Sequence, residues 1–218
     1  MRAMNVHPLD VPAAGAATRG AGMVDLQFDL LGERMPAEHG YPLYRAISAH
    51  LHWLAEAPQA GIHAVRAAAI GGGMLGLSRR VKLVLRVPRD RMPEALALEG
   101  RELDLGGDAL RVGAVRERAI EPWNTLYARL VIAGPEDETA FATALGALLA
   151  DIGQDCGIVL GRRASLRTPE GTRGGYAVML HGVDPGNSIA LQELGIGEHR
   201  LYGCGILVPY RNVGSVRD

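Results

Sequence analysis

The chain has 218 residues, of which 48% are hydrophobic and 22% are charged, so the composition fits a globular protein and excludes a wholly disordered one. Two cysteines exclude a disulfide-rich scaffold and a four-cysteine zinc site. The formal net charge is −1, but a single lysine, Lys82, stands beside 22 arginines. Because arginine can bind phosphate through two parallel hydrogen bonds, the near-neutral total does not exclude a polyanion as a partner.

The first 22 residues are rich in alanine, glycine and proline and have no hydrophobic period. They are predicted to form a flexible tail. They lack the apolar core of a secretory signal, and no apolar run reaches the ~20 residues of a membrane-spanning helix. We therefore expect a protein of the cytoplasm without a membrane partner.

The chain from Met23 to about residue 121 alternates strand and helix patterns. Residues 24–30 alternate apolar and polar side chains, which predicts a strand with one buried face. Residues 41–57 carry Leu43, Ile47 and Leu54 on one face of a predicted helix that Pro58 ends. The remaining predictions are strands at 61–68 and 81–87 around a turn at 71–73, a short helix at 89–98, and strands within 101–119.

The pattern restarts after residue 122. It predicts a strand at 125–133, a helix at 135–152, strands at 158–168 and 176–183, a helix at 185–194 and a last strand at 206–208. Each half then has the order β-α-β-β-α-β, which is typical of the ferredoxin-like fold. We predict an α+β protein with two tandem ferredoxin-like (RRM-like) units, 23–121 and 122–218. The alternative is one mixed α+β domain with a single larger sheet.

Four glycines, Gly195, Gly197, Gly203 and Gly205, lie between the last predicted helix and the last strand, with Arg200 among them. Glycine allows a positive φ and lets a ligand approach the backbone amides, which can hold phosphate oxygens. The arginine would add a charged donor. The alternative is a tight helix-to-strand turn with a bulge. A dinucleotide-binding fingerprint is excluded, because that motif runs from strand to helix.

The glycine-rich segment resembles a loop of the RAMP superfamily of CRISPR proteins. Other segments resemble, more narrowly, the endoribonucleases of that superfamily that process CRISPR repeats, in their Myxococcus-type (MYXAN) subtype. The resemblance spans about residues 24–210. The segments that carry it are VDLQFDLLGERMPAEHGYPLYRAIS, IHAV, LSRRVKLVLRVP, TLYARLVI, SIALQELGIGEHRLYGCG and GIGEHRLYGCGILVP.

The resemblance implies tandem ferredoxin-like domains and an enzyme that cuts each CRISPR repeat without a metal ion or cofactor. The 2′-OH of the RNA would attack the adjacent phosphate and leave 2′,3′-cyclic phosphate and 5′-OH ends. The expected partners are precursor CRISPR RNA, the mature guide RNA and other subunits of a CRISPR effector complex. Two alternatives remain: a non-catalytic RNA-binding subunit of the same superfamily, and a small-molecule or regulatory module.

Histidine and arginine suit this chemistry, because histidine titrates near neutrality and arginine stabilises negative charge. His63 is the first candidate, because related archaeal enzymes carry a catalytic histidine just after the first helix. The sequence after it reads Ala64-Val65-Arg66-Ala67, where the resemblance leads one to expect Pro-Ile-Arg-Gly. The alternative for His63 is a strand histidine with a satisfied hydrogen bond.

Two further histidines compete for the catalytic role. His39 precedes the first predicted helix and could contact RNA or the glycine-rich segment, or only cap the helix start. His50 lies on the apolar helix face with Ile47, where a core histidine is the alternative. No metal site is predicted, because His50 and His52 share no helix face and no carboxylate cluster completes a ligand set.

Arginine groups are predicted to hold the RNA backbone. Arg79 and Arg80 precede a strand, and Arg163 and Arg167 share one face of another strand, with Arg162 on the opposite face. Such a basic face suits phosphate contacts better than base readout, although a solvated charged surface is the alternative. The predicted sheets lack an aromatic pair for stacking bases, which disfavours the usual RRM mode.

Overall fold

A computed structural model describes residues 22–210 of the chain, so the predicted tail lies outside the described residues except for Gly22. Within that range the elements in chain order are β1 (Met23–Leu31), β2 (Arg34–Pro36), α1 (Gly40–Ser48), β3 (Gly61–Ile62), β4 (Ala68–Gly71), β5 (Met74–Gly76), β6 (Lys82–Pro88), α2 (Met92–Leu96), β7 (Glu102–Asp104), β8 (Ala109–Ala119), β9 (Thr125–Val131), α3 (Glu138–Asp151), β10 (Gly157–Thr168), β11 (Gly171–His181), α4 (Pro185–Leu194) and β12 (Val208–Pro209). Short 3₁₀ turns lie at His52–Glu56, Arg89–Arg91 and Arg200–Tyr202.

The N-terminal half forms a five-stranded antiparallel sheet in the order β3-β6-β1-β8-β7. Strand β1 alternates as predicted, since Val24, Leu26 and Phe28 are fully buried. They share one hydrophobic core with Leu43 and Ile47 of α1. The opposite face of β1 is therefore left for polar side chains.

The C-terminal half forms a separate four-stranded antiparallel sheet in the order β10-β11-β9-β12. Its core joins Leu126 of β9 and Val178 of β11 to Phe141 and Leu145 of α3. The rings of Phe141 and Tyr176 pack with their centroids 4.9 Å apart. A 14-residue helix thus covers one face of this sheet and leaves the other open.

The strand orders identify both halves as ferredoxin-like. In each half, the second, third, first and fourth strands of the β-α-β-β-α-β unit lie side by side in that order. The predicted α+β fold with two such units is confirmed, and the alternative of a single larger sheet is wrong. The chain passes from one sheet to the other at residues 120–124.

Several predicted elements differ in extent. The predicted helix 41–57 ends at Ser48, and a 3₁₀ turn follows at His52–Glu56. Leu54 in this turn is buried, as the apolar pattern predicted. The predicted strand 61–68 is divided: Gly61–Ile62 pair with β6, and Ala68 begins β4 in another sheet. A small sheet in the order β2-β5-β4 was not predicted, although its turn at residues 71–73 was.

The buried face of β1 leads to a prediction for stability. Replacing Phe28 by alanine should lower the free energy of unfolding by about 3–5 kcal/mol, because the fully buried ring leaves a cavity in the core. Leu31→Ala, on the same strand but 44% exposed, is the control and should cost no more than about 1 kcal/mol. Chemical denaturation measures both, and equal losses would contradict the assignment of the β1 faces.

Candidate nucleic-acid interface

A groove of about 1240 Å³ lies between the two units. Strands β1 and β6 send Asp25, Gln27 and Val84 into it, because these side chains alternate with the core residues of the same strands. Strand β9 contributes Tyr127 in the same way. The open face of each sheet thus forms a wall of the groove.

The groove is basic although the chain as a whole is not. Its lining has six basic side chains and two acidic ones, namely Arg66, Arg80, Lys82, Arg86, Arg118 and Arg129 against Asp25 and Glu121. Clefts lined by charge of one sign concentrate ligands of the opposite sign. This wall therefore suits a polyanion such as an RNA backbone.

A buried ion pair forms part of the groove wall where the two units meet. Nε and Nη2 of Arg86 donate to the two carboxylate oxygens of Asp25 at 2.7 and 2.9 Å. Nη1 of Arg86 donates to the backbone carbonyls of Gln192 and Leu207 at 2.7 and 2.9 Å, and these belong to the C-terminal unit. Burial alone would raise the pKa of Asp25, but hydrogen bonds and charges from His63 and Arg86 hold that pKa well below its usual range.

His63 lines the groove beside this pair. Its Nε2 lies 3.5 Å from Oδ1 of Asp25, at the outer limit of a hydrogen bond, and its backbone amide donates to Val84 of β6 at 2.9 Å. The side chain is 16% exposed. Burial lowers the pKa of His63, Asp25 partly opposes that shift, and the charges of Arg86 and Arg200 add to it. The imidazole is therefore neutral near pH 7 and able to accept a proton.

His39 is buried, and both of its ring nitrogens bond to backbone. Nε2 accepts from the Val65 amide at 3.0 Å, so Nδ1 carries the proton and donates to the carbonyl of Pro36 at 3.2 Å. Burial lowers the pKa of His39, and its hydrogen bonds to backbone partly offset this shift. The ring joins the loop before α1 to the segment after β3, beside a second cavity of about 140 Å³.

His50 lies between α1 and the following 3₁₀ turn and is exposed. Its Nε2 lies 3.1 Å from the carbonyl of Glu102 on β7. The predicted position on the apolar helix face, and the alternative of a core histidine, are both wrong, because the helix ends at Ser48. His63 lines the groove, His39 lines the second cavity and His50 lines neither, so the structure does not gather them into one site.

The glycine-rich segment folds as a closed turn against β9. All four predicted glycines have a positive φ, and the amides of Ile196, Glu198 and Gly205 donate to backbone carbonyls. A Cβ on Gly205 would lie 2.0 Å from the carbonyl oxygen of Ile196, and one on Gly197 would lie 2.3 Å from that of Ile132. The close packing of backbone at these positions requires glycine, as the turn interpretation predicts. The three amides already donate hydrogen bonds within the protein, so they are not free to bind phosphate.

Arg200 does not extend from this segment as a free donor. Its side chain is buried, and Nη1 donates to the carbonyls of Glu193 and Leu194 at the C-terminus of α4. Burial and the neighbouring charge of Arg86 lower the pKa of Arg200 to about 10, against a smaller opposing effect of Asp25. The expectation that it presents its guanidinium to RNA is corrected: it anchors the segment to α4.

The other predicted arginines separate into two regions. Arg80 lines the groove and Arg79 is exposed beside it. On β10, Arg162 is exposed, Arg163 pairs with Glu136, and Arg167 lies 3.2 Å from Glu38 at the second cavity. Five further basic side chains line the groove and were not among the predicted site residues, namely Arg66, Lys82, Arg86, Arg118 and Arg129. Three of them, Lys82, Arg86 and Arg129, alternate with buried residues on β6 and β9.

Tyrosines form a second contact between the units. The ring of Tyr202, in the glycine-rich segment, lies 5.5 Å from that of Tyr41 and 5.1 Å from that of Tyr44, both on α1. Gly40 meets the same segment so closely that a Cβ would lie 2.5 Å from the carbonyl oxygen of Tyr202. The segment thereby holds the N-terminal helix against the C-terminal unit.

No group of three or more histidine, cysteine, aspartate or glutamate side chains lies close enough to hold a metal ion among residues 22–210. Over the same range, no helix combines the length and apolar character that crossing a bilayer requires.

Comparisons with known proteins agree on one family. The family described as Cas6 Crispr matches residues 24–212. A relative from Myxococcus xanthus (strain DK1622), named CRISPR-associated endonuclease Cas6, is 34% identical over 196 residues, which are 89% of this chain and 85% of the relative. These matches cover nearly the whole chain.

Solved structures share the fold. A RAMP protein described as binding different RNA substrates has a TM-score of 0.65 and 16% identity, over 84% of this chain and 98% of that one. A Cas6 product complex has a TM-score of 0.53 and 15% identity, over 86% of this chain and 100% of that one.

The Asp25–Arg86 pair leads to a second stability prediction. Arg86→Met should lower the free energy of unfolding by about 3–5 kcal/mol, because it leaves the carboxylate of Asp25 buried without its partner. Asp29→Asn is the matched control, since the exposed Asp29–Lys82 pair joins the same two strands, and it should cost no more than about 1 kcal/mol. Denaturation curves showing equal losses would contradict the role of burial.

The two buried histidines predict how stability depends on pH. Because the pKa values of His39 and His63 are lowered on folding, the unfolded chain binds protons first as the pH falls below the ordinary histidine value of 6.5. Unfolding free energies should therefore decrease from about pH 7.5 to about pH 5.5. His63→Gln should flatten this slope, whereas the same change at exposed His52 should not; a wild-type slope in both variants would refute the assignment.

Proposed function

The chain belongs to the Cas6 family of CRISPR proteins, and we propose that it is a metal-independent endoribonuclease that cleaves CRISPR repeat RNA in precursor transcripts. Family membership supports the processing of repeat RNA. The observation that carries the site assignment is the basic groove between the two sheets, with His63 and Asp25 on its wall.

The groove supports binding of an RNA backbone. Its arginines come from both units, so an RNA strand lying between the sheets would meet cationic side chains on both sides. Such contacts hold phosphates without reading sequence and weaken as salt rises. The cut repeat keeps these phosphates, so the same groove can retain the guide RNA and carry it into an effector complex.

The proposed reaction starts with a neutral His63. The imidazole accepts the proton of the 2′-OH, whose oxygen attacks the adjacent phosphorus. The bond to the 5′ oxygen then breaks, and this leaving oxygen takes a proton from water. Asp25 stabilises the imidazolium that forms, because its own lowered pKa keeps the carboxylate ionised. Cationic side chains of the groove stabilise the additional negative charge on phosphorus. The products carry a 2′,3′-cyclic phosphate and a 5′-OH.

His39 and His50 rank below His63. Both nitrogens of His39 hold backbone groups, so a proton transfer there would break a bond that joins two loops. His50 is accessible but lies beside β7, outside both cavities. Both histidines are therefore tested beside His63.

The test uses labelled repeat RNA from the protein's own locus, incubated in EDTA, with a parallel substrate that carries a 2′-deoxy nucleotide at the cut site. The wild-type protein should cleave the first RNA and not the second. His63→Ala should slow cleavage by about 10²–10⁴-fold while RNA binding is kept, because only the proton acceptor is lost.

The other outcomes each contradict one part of the proposal. Wild-type cleavage by His63→Ala would move the site to His39 or His50, whose alanine variants are measured in parallel. RNA binding without cleavage would favour a non-catalytic RNA-binding subunit. Neither binding nor cleavage would refute the function itself, and a requirement for added divalent metal would refute the mechanism.

A further inference from the structure

We propose that Arg86 is a positioning residue through which docking of the C-terminal unit fixes the orientation of His63. The inference rests on the proposed function, in which His63 accepts the proton of the attacking 2′-OH. It assigns a role in the reaction to a buried side chain that is 1% exposed and cannot itself reach RNA.

The hydrogen bonds of Arg86 connect two backbone carbonyls of the C-terminal unit to the carboxylate of Asp25, which in turn faces His63. Its guanidinium uses Nη1 for the carbonyls of Gln192 and Leu207, and uses Nε and Nη2 for the carboxylate of Asp25. The guanidinium is planar with a fixed fork of donors, so the position of the two carbonyls sets the plane of the carboxylate. Oδ1 of Asp25 in turn faces Nε2 of His63 at 3.5 Å.

The two carbonyls come from elements that are far away in the chain. Gln192 lies in α4 and Leu207 lies just before β12, respectively 106 and 121 residues after Arg86. Neither carbonyl belongs to the sheet that carries His63. The N-terminal unit alone therefore holds the ion pair but lacks the acceptors that fix Nη1.

The contacts of Arg200 independently support the influence of the C-terminal unit on His63. Its guanidinium is held by the last carbonyls of α4, and its charge acts on both His63 and Arg86. The charged groups that act on His63 are thus Asp25 on β1, Arg86 on β6 and Arg200 in the glycine-rich segment. Both arginines take their position from α4 of the C-terminal unit.

A second ion pair on β1 and β6 shows that the pairing of these strands does not by itself require a contact with the C-terminal unit. Asp29 and Lys82 face each other across β1 and β6, as Asp25 and Arg86 do, four residues later on β1 and four residues earlier on β6. Both side chains are more than two-fifths exposed. Among the described residues, neither side chain has a hydrogen-bond partner in the C-terminal unit. Only the buried pair reaches across to the other unit.

The experiment compares Arg86→Lys and Asp25→Asn with the control Asp29→Asn, all in the full-length protein. Lysine keeps the charge but loses the planar fork, so single-turnover cleavage should fall by about 100-fold, while the Kd for repeat RNA should not change. The control should cleave at the wild-type rate and should bind RNA at least as tightly, because it only removes the carboxylate partner of Lys82 in the groove. A loss confined to the rate and absent from binding separates positioning from general unfolding.

A measurement that does not depend on cleavage is the NMR titration of the His63 ring. In Asp25→Asn the pKa of His63 should fall further, because the carboxylate that opposes the shift is gone, and the acid limb of the pH–rate profile should move to lower pH. In Arg86→Lys the ring signal should shift and broaden as its neighbour loosens. The Asp29→Asn titration should match that of the wild type.

The outcomes distinguish this inference from the proposed function. If Arg86→Lys and Asp25→Asn are folded, cleave at the wild-type rate and leave the His63 titration unchanged, the positioning role is overturned. If the wild type does not cleave RNA, the proposed function fails, and the His63 titrations alone decide the positioning role. Should Arg86→Lys melt below the assay temperature, its cleavage rate and its His63 titration are compared with those of the wild type at a lower temperature at which the variant is folded.

Discussion

The fork of hydrogen bonds around Arg86 joins the two ferredoxin-like units at the wall of the groove. Burying a guanidinium and a carboxylate costs free energy unless every donor and acceptor finds a partner. Asp25 satisfies one side of the fork and two carbonyls of the C-terminal unit satisfy the other. The contact between the two units beside His63, on the wall of the groove, depends on this arrangement.

The groove explains how a chain of net charge −1 can suit an RNA partner. Its basic side chains occupy the strand faces that the hydrophobic cores leave free, and they come from both sheets. On β10, Arg163 and Arg167 pair with Glu136 and Glu38, as Arg86 and Lys82 of the groove pair with Asp25 and Asp29. The groove has four further basic side chains that are exposed, namely Arg66, Arg80, Arg118 and Arg129. The distribution of charge, and not its sum, favours the groove as the binding surface.

The glycine-rich segment is built for contact within the protein. Its glycines bring backbone within reach of backbone, its amides bond to β9, and Tyr202 packs against α1. A segment that joins the C-terminal sheet to the N-terminal helix transmits any shift between the units. The segment therefore adds a second contact between the units to the one that Arg86 makes.

Local chemistry let the sequence determine the fold class, the strand alternation of β1 and the whole of α4, whose predicted bounds 185–194 are those observed. The sequence also pointed to His63, Arg80 and the four glycines. Only tertiary structure decided that Arg200 is buried, that His39 bonds to Val65, and that Arg86 meets carbonyls more than 100 residues away. The period of apolar residues in the sequence indicates which face of a helix or strand is buried. The partner of a polar side chain depends on how separate helices and strands pack together, and a local sequence pattern does not determine that packing.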